Sequence, residues 1–125
     1  MNILIIDDDA LILRTLALHL EAEGHTVTTA KDGSEAHDRI ENSRTRQDLI
    51  ICDLMMPNIS GLTFITMLRN FHNYSIPVIV ISSLDRADLL AAQAGIKEID
   101  FVPKPFEVSA VIEKVNKYNV KTCTP

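Results

Sequence analysis

Residues 49–52 of the chain form an uninterrupted apolar run that ends in a single carboxylate, Asp53, within the stretch DLIICDLMMP. An apolar run this short, with no polar alternation, describes a strand covered on both faces. Its last side chain then emerges where the cover ends. Two other stretches have the same form. LIIDDD (residues 4–9) ends an apolar run in acids, and VIVISS (residues 78–83) ends one in hydroxyls. The expectation is that all three runs finish at one place, with Asp53 at its centre.

The rest of the chain supplies helices between such strands. Residues 2–6 form the first strand, and Asp8 or Asp9 caps a helix running to about Glu23, with Ile12, Leu16 and Leu20 as its core stripe and Gly24 ending it. Leu11 and Leu18 fall off that stripe, as either scattered surface leucines or a docking face for a partner helix. Residues 25–30 form a strand at or near an edge. Asp32 and Glu35 open a helix to about Glu41 in the manner of a capping box. After Asp53, the turn residues Pro57, Asn58, Ser60 and Gly61 lead into a helix marked by Leu62, Ile65 and Leu68. Residues 78–82 form a strand, and Asp85 and Asp88 open a short helix closed by Gly95. Residues 99–102 form the last strand, and a final helix carries Val108, Val111, Ile112 and Val115. A frayed tail is expected from about Asn119. This strand–helix alternation, five times over, predicts an α/β fold with a parallel sheet. Ligands in such sheets sit beyond the carboxyl ends of the strands. Asp7, Asp8, Asp53, Ser82 and Lys104 all fall there or just after.

Charge and composition remove several function classes. The 125 residues carry a formal net charge of −5, which disfavours sequence-independent nucleic-acid binding, since that needs basic surface. No apolar run approaches the roughly 20 residues of a membrane span, and the start, MNILIIDDD, lacks the basic region of a signal peptide. Cys52 and Cys123 suggest no disulfide framework, and the simplest setting is a reducing cytoplasm. His19, His25, His37 and His72 show no metal-site spacing and read as surface or boundary histidines.

Carboxylates gathered in one cleft repel each other unless a cation joins them. An oxygen-only donor set suits a hard cation, Mg2+ before Ca2+, which keeps several waters and leaves room for phosphate oxygens. Lys104 adds a fixed ammonium and Ser82 a hydroxyl. Singly, each has an ordinary explanation: an Asp pair caps a helix, a Ser ends a strand, a Lys before Pro is solvated. Together, at the ends of four strands of one sheet, they make a phosphoryl-transfer site with Asp53 as nucleophile.

In these motifs the chain resembles a response-regulator receiver domain of two-component signalling. IIDDD, ICDLMMPNISG, VIVISS and FVPKPF stand in that family's order over residues 2–118. The resemblance implies a CheY-like, flavodoxin-like (βα)5 doubly wound fold of five parallel strands in the order 2-1-3-4-5, with a receiver domain over residues 1–119 and a tail over 120–125. It implies that Asp53 accepts a phosphoryl group from a histidine kinase or a histidine phosphotransfer protein. Asp8, Asp53 and the backbone carbonyl of Met55 would bind Mg2+ directly, and Asp7 through water. Lys104 would pair with Asp53 and then with the phosphate, and the Lys104–Pro105 bond would be cis. Ser82 and Phe101 resemble the family's switch pair. The output face would comprise the fourth helix, fifth strand and fifth helix, addressing an effector that the chain does not name. A relay step, or a place in a longer regulator or hybrid kinase, fits the same motifs.

Several residues depart from the family pattern. Phe101 lacks a hydroxyl, so a switch through it acts by packing. Pro103 removes a ladder donor from the last strand, which an edge position tolerates. Ser83 stands where Ala is commoner, and the helix after Asp85 closes early. The last helix lacks the arginine-rich pattern of dimerising receivers, which suggests a monomer or weak dimer. Met55 and Leu84, two residues beyond Asp53 and Ser82, are apolar and cannot orient an attacking water, so the phosphoryl group should be lost slowly. An aspartyl-phosphate hydrolase acting on other substrates would carry an acid at Met55. A flavin binder would need a phosphate-cradling loop where the acidic DDDALIL stands. A degenerate scaffold would lack part of the acceptor set.

Overall fold

The computed structural model describes residues 1–42, 46–53, 76–82 and 99–122, the side chains of Ser82, Ile99 and residues 119–122 excepted. The features expected within 54–75 and 83–98 lie outside the described residues, including Met55, the loop from Pro57, the helix of Leu62, Ile65 and Leu68, His72, Leu84 and the helix after Asp85. Cys123 lies outside them too.

Five strands form one parallel sheet: β1 (Asn2–Ile6), β2 (Thr26–Ala30), β3 (Leu49–Asp53), β4 (Val78–Ser82) and β5 (Ile99–Pro103). Their order is β2-β1-β3-β4-β5, as the family resemblance implied. The chain therefore winds outward in one direction from β1 to β2, and in the other from β3 through β4 to β5. The order reverses between β1 and β3, and a crevice at their carboxyl ends follows from that reversal.

The uniform apolar character of the strands has a direct structural counterpart. Successive side chains point to opposite faces of a sheet, and here both faces are covered. Leu4, Ile6, Ile50, Cys52, Val78 and Val80 join Ala30 and Ala36 in one buried cluster, with Ile40, Ile76 and Phe101 packed against it. Ile3, Ile5, Leu49, Ile51, Ile79 and Ile81 join Leu16, Leu20, Val102, Val111, Val115 and Tyr118 in the other. Helix α1 (Ala10–Ala22) and the last helix (Val108–Thr122) thus cover one face, and α2 (Gly33–Asn42) covers the other. Leu16 is fully buried. Leu16→Ala should cost about 2–5 kcal/mol, because the surrounding side chains cannot close the cavity. Urea unfolding should show this as a lower midpoint at unchanged slope.

The helix signals act as expected. Asp9 is the N-cap of α1, and its Oδ1 accepts from the backbone N–H of Leu11 at 2.9 Å and of Ile12 at 3.4 Å. Gly24, at φ +94°, takes the left-handed conformation that ends the helix, and the next N–H, of His25, donates to the Leu20 carbonyl. At α2 half of the capping box forms: the Glu35 N–H donates to Asp32 Oδ1 at 2.8 Å, while the Glu35 carboxylate pairs with Arg39 one turn on. Leu11 and Leu18 are both exposed. Pro103 is the last residue of β5, an edge strand, a position where proline is tolerated.

Two expectations need correction. His25 is a buried residue, only 8% exposed, with Nδ1 3.1 Å from the Met1 amine. It lies between α1 and β2, its N–H bonded to the Leu20 carbonyl, and burial, then the neighbouring amine, holds its pKa below the usual histidine value. The last helix does not stop near Asn119 but runs to Thr122. No Gly or Pro stands between Val108 and Thr122, so nothing in that stretch breaks it.

Candidate functional site

Each residue of the site is placed by the end of a strand. Asp53 is the last residue of β3. Asp7 directly follows β1, and the Ile6–Cys52 register sets it level with Asp53 on the neighbouring strand. Lys104 directly follows β5. Asp7 and Asp53 are 1% and 5% exposed, whereas Asp8 faces solvent. Carboxylate oxygens from Asp7, Asp8 and Asp53 all lie within 4.8 Å of one another.

The lysine reaches into this acidic group. Lys104 Nζ donates to Asp53 Oδ2 at 3.0 Å and to Asp7 Oδ2 at 3.3 Å. The peptide bond from Lys104 to Pro105 is cis. The other oxygen of Asp7, Oδ1, accepts the Asp9 N–H at 2.9 Å, so Asp7 is fixed through both oxygens. The direct contact between Asp7 and Lys104 is absent from the sequence reading, which paired Lys104 with Asp53 alone. Its signal was the equal length of the apolar runs before Asp7 and Asp53, which places both acids at one level.

The electrostatics describe a site with too little positive charge. Burial, aided by the charge of Asp53, raises the Asp7 pKa above the usual carboxylate value, against the opposing pull of the Asp9 N–H and Lys104. Burial alone would lower the Lys104 pKa. The bond and charge of Asp53, with the charge and bond of Asp7, outweigh it and raise that pKa. The two ion pairs of Lys104 therefore hold it charged without fully offsetting what burial and like charge do to Asp7. Among the described residues, three carboxylates against one ammonium favour a further cation at the site. The three acids offer only oxygen donors, one from solvent-exposed Asp8 and two from the cleft wall. That fits a hard cation that retains water, such as Mg2+.

The remaining predicted positions are partly placed. Ser82 ends β4 and its backbone pairs with Pro103. Phe101, in the middle of β5, is half-buried against the cluster containing Val78 and Val80. Met55 lies outside the described residues. Cys52, beside Asp53, is buried, and burial pushes its thiol pKa far up, so it has no thiolate to offer as ligand or nucleophile.

Known proteins resemble the chain in sequence and in fold. A family described as the response regulator receiver domain matches residues 3–116. Response regulator MprA from Mycobacterium sp. (strain KMS) is 31% identical over 115 residues, covering 92% of this chain and 49% of that protein. The chain spans about half the length of the curated relatives it matches. Among solved structures, the Francisella response regulator 1452 receiver domain superposes with a TM-score of 0.83 at 32% identity, covering 97% of this chain and 98% of that one. A two-component response regulator from Clostridium difficile gives a TM-score of 0.86 at 25% identity, covering 99% of both chains.

Proposed function

The chain belongs to the response regulator receiver domain family of two-component signalling, and on that footing we propose that Asp53 accepts a phosphoryl group and that Mg2+ assists. The observation that carries this reading is the convergence of Asp7, Asp8 and Asp53 oxygens within 4.8 Å, with Lys104 Nζ 3.0 Å from Asp53. The donor is a phosphohistidine on a histidine kinase or a histidine phosphotransfer protein. In the transfer, the phosphorus–nitrogen bond of the donor breaks and a bond forms from phosphorus to an Asp53 carboxylate oxygen. Asp8 and Asp53 would hold Mg2+ directly, with the backbone carbonyl of Met55 as the family resemblance implies, and Asp7 would assist through water. Bound there, Mg2+ supplies charge neutralisation for the acids and the phosphoryl oxygens. Asp7, fixed by the Asp9 N–H, keeps Lys104 directed at the reacting carboxylate. Lys104 then passes from Asp53 to the new phosphoryl oxygens. Like family members generally, the chain is not an enzyme acting on other substrates.

Signalling follows from a contact that exists in one state only. The Ser82 hydroxyl gains a phosphoryl acceptor after transfer, and Phe101 repacks beside it. That differential contact shifts an equilibrium between two arrangements. The receiver unit spans residues 1–119, and it acts in the cytoplasm on a downstream effector, as a monomer or weak dimer, with no direct contact to nucleic acid or membrane. Among the described residues, no helix is long and apolar enough to cross a membrane.

Incubation with acetyl phosphate or beryllofluoride and Mg2+ tests the reading. Intact mass after acetyl phosphate should show one phosphoryl group, and a two-dimensional NMR spectrum with either reagent should shift around Ser82 and Phe101. An unchanged mass and spectrum would overturn it. Once formed, the phosphoryl group should decay slowly, and Met55→Asn should hasten the decay several-fold by giving the attacking water a polar partner. Equal decay in the two proteins would remove Met55 from that role.

A further inference from the structure

On the opposite face of β5 from Phe101 lies a second charged cluster, outside the site. Asp100 pairs in register with Ile79, whose side chain belongs to the face covered by the last helix. There the Asp100 carboxylate accepts a hydrogen bond from the Tyr118 hydroxyl and one from Lys117 Nζ at 3.2 Å, both at Oδ2. Lys114 Nζ stands 3.7 Å from Oδ1. Three side chains spanning more than one turn of the last helix thus converge on one carboxylate of the strand. Tyr118 is itself 7% exposed, with its ring in the core beside Val102, Val111 and Val115. The Lys117 ammonium also lies over that ring, 5.4 Å from its centre. A buried ring fixes the direction of its hydroxyl, so this connection is rigid, unlike a solvated surface ion pair.

The strand between the two faces makes the arrangement more than a staple. Adjacent residues of β5 point opposite ways, so the backbone that carries Phe101 also carries Asp100. We infer that Asp100 is a positioning residue that ties β5 to the 114–118 segment of the last helix, so that a displacement of β5 at Phe101 moves that segment with it. The inference rests on the receiver reading above and adds how a change at Phe101 reaches the helix. Without the tie, apolar contacts from Val102 to Val111 and Val115 would still hold the elements together. Such contacts are non-directional, and they allow the sliding that a fixed hydrogen bond resists.

The test uses the full chain, isotopically labelled, with beryllofluoride and Mg2+. Wild type is compared with Asp100→Asn and with Tyr118→Phe, which keeps the buried ring and removes only the hydroxyl. Fluorine NMR reports whether beryllofluoride is bound, and amide shifts are read at β5 and at residues 114–118. Wild type should shift at both places. The two variants should bind beryllofluoride and shift at β5 as wild type does, while their shifts at 114–118 fall several-fold. Undiminished shifts at 114–118 in Tyr118→Phe overturn the inference even if Asp100→Asn fails to fold. So does a wild type that binds beryllofluoride and moves at β5 but not at the last helix. Absence of bound beryllofluoride in wild type removes the receiver reading itself, and the tie as a signalling element with it.

Discussion

Asp53→Asn should reduce phosphoryl uptake from acetyl phosphate by at least about a hundredfold, leaving intact mass unchanged over a time in which wild type is fully modified. An amide has neither the charge nor the nucleophilic oxygen to form an acyl phosphate, and Asp7 is no substitute. Its two oxygens are already engaged by the Asp9 N–H and by Lys104. The loss should not arise from unfolding. At an effective dielectric constant of about 20, attraction of Asp53 to an ammonium at 3.0 Å is roughly 5–6 kcal/mol. Repulsion by the Asp7 and Asp8 carboxylates, whose oxygens lie within 4.8 Å, opposes it, and solvent screens the exposed Asp8. The opposing contributions therefore work against each other, and the variant should melt close to wild type. Modification that persists in Asp53→Asn would place the acceptor elsewhere. A collapse in melting temperature would mean that the carboxylate serves stability first.

Asp100 offers a separate check on the charges outside the site. Burial would raise its pKa, but the Tyr118 and Lys117 hydrogen bonds and the Lys114 and Lys117 charges prevail and lower it. A folded-state pKa below the unfolded value gives stability that is present above the unfolded value and lost as pH falls through the folded one. Wild type should therefore lose more stability than Asp100→Asn on acidification below about pH 4, read as the difference in urea midpoints. Parallel midpoints for the two proteins across that range would show that the bonds to Asp100 do not favour its charged form.

The sheet was legible because its strands carry their own signature. An apolar run such as residues 49–52 has no polar face, so only a doubly covered strand accommodates it, and its length places Asp53 at the carboxyl end. The same reasoning placed Asp7 and Lys104, and these acids and the lysine do meet. What sequence left open depended on distances across the sheet. The bridge from Lys104 to both acids requires Asp7 and Asp53 to lie level; the equal apolar runs before them are consistent with that, and the register of β1 on β3 sets it. His25 looked peripheral because its neighbours are polar, yet the turn at Gly24 folds it inward. The helix extension to Thr122 escaped notice because Asn and Thr are weak helix formers, and weak propensity is not a stop signal. Asp100 was read only as a residue of the last strand. Its partners Lys114, Lys117 and Tyr118 stand on the far side of a helix start, so the cluster exists only after folding.

Mg2+ should raise the melting temperature of the wild-type chain, and Asp8→Asn should remove most of that rise. A ligand that binds only the folded state stabilises it by RT ln(1 + [L]/Kd), about 2.7 kcal/mol at a hundredfold excess over Kd. For a chain of this size that is a rise of roughly 10 °C, taking about 3–5 °C per kcal/mol. Asp8 is the informative position because it is the exposed member of the acid group, open to an arriving hydrated cation, and lies outside the Lys104 bridge. Replacing it leaves the buried contacts of Asp7 and Asp53 intact, so the metal-free variant should melt at or slightly above the wild-type temperature as one like charge is removed. Chelation should return magnesium-loaded wild type to its metal-free value. An equal magnesium-induced rise in both proteins would place the cation away from Asp8. A lower melting temperature of Asp8→Asn without metal would mean that Asp8 stabilises the fold by itself, contrary to a cluster held in mutual repulsion until a cation joins it.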